Sequence, residues 1–171
     1  MLRRILMGRL NVLERELGVS VEYVRHILRT SLRCFRNFAR IIPLASYRRR
    51  LPVDACHVAR LVVTRHADCG TCLQIAVNEA RKAGVSVDTV QAVLADDADR
   101  LPEGLAEVYR FALGVVGATG DEDAVRESLR TRYGEEALIE LAMTIASSSF
   151  FPVVKRALGY AVSCSRVEVS V

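Results

Sequence analysis

The stretch His57-Val-Ala-Arg-Leu-Val-Val-Thr-Arg-His-Ala-Asp-Cys-Gly-Thr-Cys-Leu-Gln-Ile-Ala-Val-Asn-Glu-Ala-Arg-Lys-Ala-Gly-Val-Ser86 decides how the rest of the chain is read. Its first arm, opened by Pro52 and Asp54, carries Val58, Leu61 and Val62 at helical spacing. A turn near His66-Ala67 leads to a second arm that runs from near Cys69 to Ala83 and stops at Gly84. The spacing therefore predicts a helical hairpin with Cys69-Gly-Thr-Cys72 at the start of its second helix. One helical turn brings two sulfurs at this spacing together. The unpaired N–H groups and the positive end of the helix dipole favour a thiolate there. Such a pair suits a dithiol/disulfide couple. Structural zinc would want four ligands; no second pair is present, and a set of His66, Cys69 and Cys72 is one short. An inert structural pair is the third reading.

Outward from the hairpin the helical period continues almost throughout. Leu2, Ile5, Leu6, Leu10, Leu13 and Leu17 form one stripe, ended by Gly18. Ser20 opens a second helix, with Tyr23, Val24, Ile27, Leu28, Phe35, Phe38 and Ile42 on its inner side, which Pro43 is expected to end. After the hairpin come a short helix over 88–95, an acidic loop at 96–99, and a helix over 103–116. Asp121 is expected to cap a helix over 122–133 that stops at Gly134. Segments 135–148 and 153–161 complete the set. The alternation over 166–171 is too short to change the class, and no hairpin of strands is signalled elsewhere. The chain reads as all-α.

At 171 residues, 51% hydrophobic and 26% charged, it is long enough to bury one core. No apolar stretch approaches the ~20 residues of a bilayer span, and no secretory signal is visible. Five cysteines do not make a disulfide scaffold, and an odd count suits a reducing, cytoplasmic compartment. The net charge of +4 joins two unlike parts. Residues 1–50 hold 12 Arg and 3 Glu, whereas residues 51–171 hold 12 basic and 17 acidic residues. The arginines are spread among apolar residues, as on solvated helix faces, and nucleic acid is not the expected partner. Residues 1–50 are read as an Arg-rich helical extension packed on a body at 51–171.

Around the cysteine pair the sequence resembles the carboxymuconolactone decarboxylase superfamily, most closely its AhpD-like alkylhydroperoxidase branch. The hairpin with CxxC opening its second arm and the Gly84-Val-Ser86 break carry the resemblance. It is best over residues 50–100 and weaker through the later helices. The resemblance implies an all-helical bundle, a homo-oligomer (trimer or hexamer), and reduction of a small hydroperoxide with an external protein or small-molecule dithiol as reductant. It also implies that Cys72 meets the peroxide and Cys69 resolves it, although exposure at a helix start would favour Cys69.

Three relay positions of that branch differ. A Glu in the preceding helix, a His before the second cysteine and a His four residues after it correspond here to His57, Thr71 and Ala76. A symmetrical hairpin places His57 opposite the small Ala76, so His57 is the expected base for Cys72. His66 is read as a turn residue that interacts with the helix dipole and is kept as a second catalytic candidate. Asp68 is expected to cap the helix, and Cys34, Cys56 and Cys164 to be buried small hydrophobes. No flavin, nucleotide, haem or metal motif is seen, so no cofactor is expected. The competing functions are a non-enzymatic interaction protein that has lost the relay and a decarboxylase-type enzyme, whose chemistry does not need CxxC.

Overall fold

The computed structural model describes residues 2–120, 122–162 and 171. The fold is all-α, with no strand among the described residues. In chain order the helices are α1 (Leu2–Leu17), α2 (Glu22–Thr30), α3 (Leu32–Ala39), α4 (Ile41–Ala45), α5 (Val53–His66), α6 (Gly70–Lys82), α7 (Val87–Leu94), α8 (Glu103–Gly117), α9 (Glu122–Tyr133) and α10 (Glu135–Ala157), with a 3-10 turn at Ala98–Arg100. Asp121, Cys164 and the alternating segment 166–170 lie outside the described residues.

Two apolar clusters build the molecule. The larger surrounds α5, whose Ala55, Cys56, Val58, Ala59, Leu61, Val62 and Val63 are all buried. Burial on so many sides explains why its sequence is apolar around most of its circumference rather than along one stripe. It packs on α6, α7, α8 and α10. The smaller cluster joins Leu10 of α1, Val24 and Leu28 of α2 and Phe38 of α3 to Phe150, Phe151 and Val154 of α10. Phe38 lies 5.7 Å from Phe150 and 6.0 Å from Phe151 between ring centroids, and Tyr23 stands edge-on to it at 5.9 Å. Helix α10 is thus shared by both clusters.

The segment expected as one helix from Ser20 to Ile42 is three. Ser31 adopts an extended conformation (φ −151°, ψ 118°) and its hydroxyl accepts the Cys34 N–H at 3.1 Å, capping α3 and breaking the helix before it. That competition between a serine side chain and the helical ladder is local and strong. Pro43 does not end a helix either. It is the third residue of α4, where no intrahelical N–H bond is required. Conversely, segments 135–148 and 153–161 are not separate: α10 runs unbroken to Ala157 with Pro152 inside it. The fused helix is, among the described residues, the one long and apolar enough by length and composition to cross a membrane. Yet it carries two buried charges, Glu140 and Lys155, that engage other parts of the chain.

Glu140 anchors the connection into α5. Its carboxylate, 1% exposed, accepts the backbone N–H groups of Arg49 (3.0 Å), Arg50 (3.0 Å) and Leu51 (2.9 Å). Burial alone would raise this carboxyl; the three N–H donors and the nearby Arg48 outweigh it and hold it below the ordinary range. Arg49 and Arg50 therefore serve the fold through their backbone N–H groups, and Arg48 through its guanidinium, which donates to the Leu51 carbonyl at 3.0 Å.

Candidate functional site

Between α5 and α6 the chain turns through Asp68, whose φ of +47° is left-handed. Arg156 holds this turn by donating to the carbonyls of Ala67 and, at 3.2 Å, Asp68. The N-cap position of α6 falls on Cys69 rather than Asp68, and Cys72 is the third residue of the helix. The two cysteines form a disulfide with Cα atoms 5.3 Å apart. The Gly70 N–H, at the mouth of the helix, donates to the Val162 carbonyl at 2.9 Å. Cys69 is 0% exposed. Cys72 is half-buried and opens instead onto a cavity of about 290 Å³.

That cavity lies between α6, α10 and the underside of α1–α4. Leu10, Leu13 and Leu17 of α1 roof it, Phe35 and Phe38 of α3 and Phe151 of α10 line its sides, and Ala76 sits one turn from Cys72 on its floor. Of its charged groups, Arg60 and Glu79 neutralise each other at 3.1 Å. The third is Lys155, 5% exposed, which donates to Thr71 Oγ1 and stands 5.5 Å from the centroid of the Tyr23 ring. Thr71 Oγ1 is in turn 3.9 Å from Cys69 Sγ. A buried ammonium, a threonine hydroxyl and the cysteine pair thus form one connected group. Burial lowers the Lys155 ammonium from its ordinary range and pushes the Tyr23 phenol up to about 12.

Lys155 and Thr71 are 84 positions apart, and their partnership has no spacing signature in the chain. Lys155 does stand out in composition: it is one of two lysines among 24 basic residues and ends a run of fourteen uncharged residues after Glu140. A lone ammonium at the end of such a run is unusual enough to mark it. Thr71, read from sequence only as the absence of a relay histidine, is the residue that links cation to sulfur.

Neither His57 nor His66 lines this cavity. Among the described residues His57 makes no hydrogen bond to either sulfur, and its Nδ1 is buried without a partner. The α5 side chains that reach the cavity beside Cys72 are Arg60 and Thr64. Arg60, a turn beyond His57, bonds Glu79, two turns beyond Cys72. Burial, with Arg60 and Arg48 nearby, depresses the His57 imidazole to about 4, so it is neutral at pH 7. His66 is exposed on the last turn of α5 and lines a different groove, with Phe111 and Val115 of α8 and Ala142 of α10. No three metal-binding side chains come together among the described residues. Cys56 is buried, 3.9 Å from the Thr144 hydroxyl, whereas Cys34 is exposed because it begins the solvent side of α3 once Ser31 breaks the helix. Comparisons with known protein families, with curated proteins and with solved structures find no match to this chain.

Proposed function

We propose that the chain is a thiol-dependent hydroperoxide reductase of the AhpD-like kind, in which Cys72 is the attacking thiol and Cys69 the resolving one. The observation that supports this most is the asymmetry of the pair: one sulfur is sealed and the other faces an apolar cavity. In the reduced state the start of α6 and the Lys155 ammonium favour a thiolate at the pair. The Cys72 thiolate attacks the terminal peroxide oxygen; the O–O bond breaks, the alkoxide takes a proton from water, and Cys72 becomes a sulfenic acid. The Cys69 thiol attacks that sulfur, water leaves, and the disulfide forms. An external dithiol then reduces it by two exchange steps and is itself oxidised to a disulfide.

Stopped-flow oxidation of the pre-reduced protein by an alkyl hydroperoxide tests the reading. The wild type should react well above the rate of a free thiol, Cys72→Ser should not react, and Cys69→Ser should stop at a trappable sulfenic acid. A wild-type rate no higher than that of free thiol rejects it. We also infer a homo-oligomer, supported by Val153 (63% exposed) and Val115 beside the groove between α8 and α10. Sedimentation equilibrium at micromolar concentration decides this, and a monomer there rejects it.

A further inference from the structure

The two buried charges on α10 are treated differently by the fold. Glu140 receives three backbone N–H donors. Lys155 is almost as deeply buried, and its ammonium carries three donors. One goes to Thr71; the Tyr23 ring offers a weakly attractive face, and no carboxylate lies within ion-pair distance of it among the described residues. A buried charge without a counter-charge is costly. The cavity that Lys155 lines together with Cys72 offers a place for an anion.

The rest of the cavity selects what accompanies the anion. Its lining is mostly leucine, valine, phenylalanine, isoleucine and alanine side chains, interrupted by Tyr23, Ser20, Ser46 and Ser148, and its other two charges cancel as the Arg60–Glu79 pair. The Thr64 hydroxyl is directed to its own helix, donating to the Arg60 carbonyl at 2.8 Å. Away from Lys155 the lining is thus chiefly apolar. A space of about 290 Å³ lies at the small end of ligand pockets.

We propose that this cavity is a binding site for a medium-chain amphiphile with a carboxylate head, the head on Lys155 and the aliphatic chain beneath α1–α3, against Cys72. An eight-carbon monocarboxylate serves as the probe. The site does not depend on the cysteine pair being catalytic, and its test uses no peroxide.

Isothermal titration of the oxidised full-length protein with octanoate, octanol and octylamine reads the head-group preference directly. Octanoate should bind at least about tenfold more tightly than either of the others, the scale of one charge-assisted hydrogen bond. Lys155→Met, which keeps most of the side-chain length and removes the charge, should abolish that preference and leave octanol binding nearly unchanged. In the reduced wild type, saturating octanoate should slow alkylation of Cys72 by iodoacetamide severalfold. Equal affinity of the wild type for the three ligands, no binding at millimolar octanoate, an octanoate preference kept by Lys155→Met, or unaltered Cys72 alkylation at saturation would each overturn the proposal.

Discussion

Lys155 is the side chain whose removal says most about the cysteine pair. Its ammonium bonds Thr71 Oγ1, which sits 3.9 Å from Cys69 Sγ. A cation at this range stabilises a thiolate, and burial strengthens the effect by thinning the solvent screen. Lys155→Met should therefore raise the pH midpoint of thiolate formation at the reduced pair by about one unit, read from thiolate absorbance against pH. An unchanged midpoint would separate the lysine from the thiols. His57 makes a different prediction, because its depressed value concerns stability and not the pair. It has an unfolded value of 6.5 and a folded one of about 4, set by burial and then by Arg60 and Arg48. Between those limits the unfolded chain binds a proton that the folded chain refuses, so stability falls as pH drops from 6.5 towards 4 and is unaffected above 6.5. His57→Gln should flatten this slope in urea denaturation measured across that window. It should leave the alkylation rate of Cys72 at pH 7 near the wild-type value, since no bond joins this imidazole to either sulfur.

At the scale of elements, α10 does the work of two segments. Its amino-terminal half fixes the loop into α5 through Glu140, and its carboxy-terminal half supplies the aromatic face, Pro152 and Lys155 to the cavity. Replacing Glu140 by Ala strips three buried or half-buried N–H groups of their acceptor, a loss of about 3 kcal/mol or more. The urea midpoint should drop accordingly. The wild-type contribution of Glu140 is present above its unfolded value of 4.5 and is lost as pH falls through the lower folded one, a window below that of His57. The hydrophobic period and the glycine stops made α1 and α5 to α9 legible, because their signals are local. Ser31 and Pro152 show where local signals mislead. A serine in a helical pattern reads as neutral until its hydroxyl finds the N–H three residues on, and a proline inside an apolar run reads as a stop. In α10 Pro152 is buried against the cavity, and packing on both clusters holds the helix through it. The cysteine pair was legible from four consecutive residues. Its cation was not, since Thr71 and Lys155 meet only after α6 and α10 have packed beneath the first four helices.

For the molecule as a whole, the division between two apolar clusters matters most at the cavity, whose floor belongs to one and whose roof to the other. The roof helices α1 to α3 reach α10 chiefly through Phe38 and its contacts with Phe150 and Phe151. Helix α1 buries little beyond Leu10 and leaves Leu2, Ile5, Val12 and Leu13 exposed, so its own hold is slight. The larger cluster around α5 shares none of these residues apart from their common support on α10. Truncating Phe38 to Ala removes an aromatic side chain from the centre of the smaller cluster, at a cost of about 3–5 kcal/mol. That loss should fall unevenly. Amide exchange should accelerate across α1 to α3 while the buried amides of α5 and α8 keep their protection, because local opening follows the contacts that close each unit. The loosened roof should also expose the sulfur beneath it. In the reduced variant Cys72 should alkylate severalfold faster than in the wild type, whereas Cys69, fully buried and outside the cavity lining, should not. Uniform acceleration of exchange through all helices would show instead that the two clusters open together and that the roof has no independent motion.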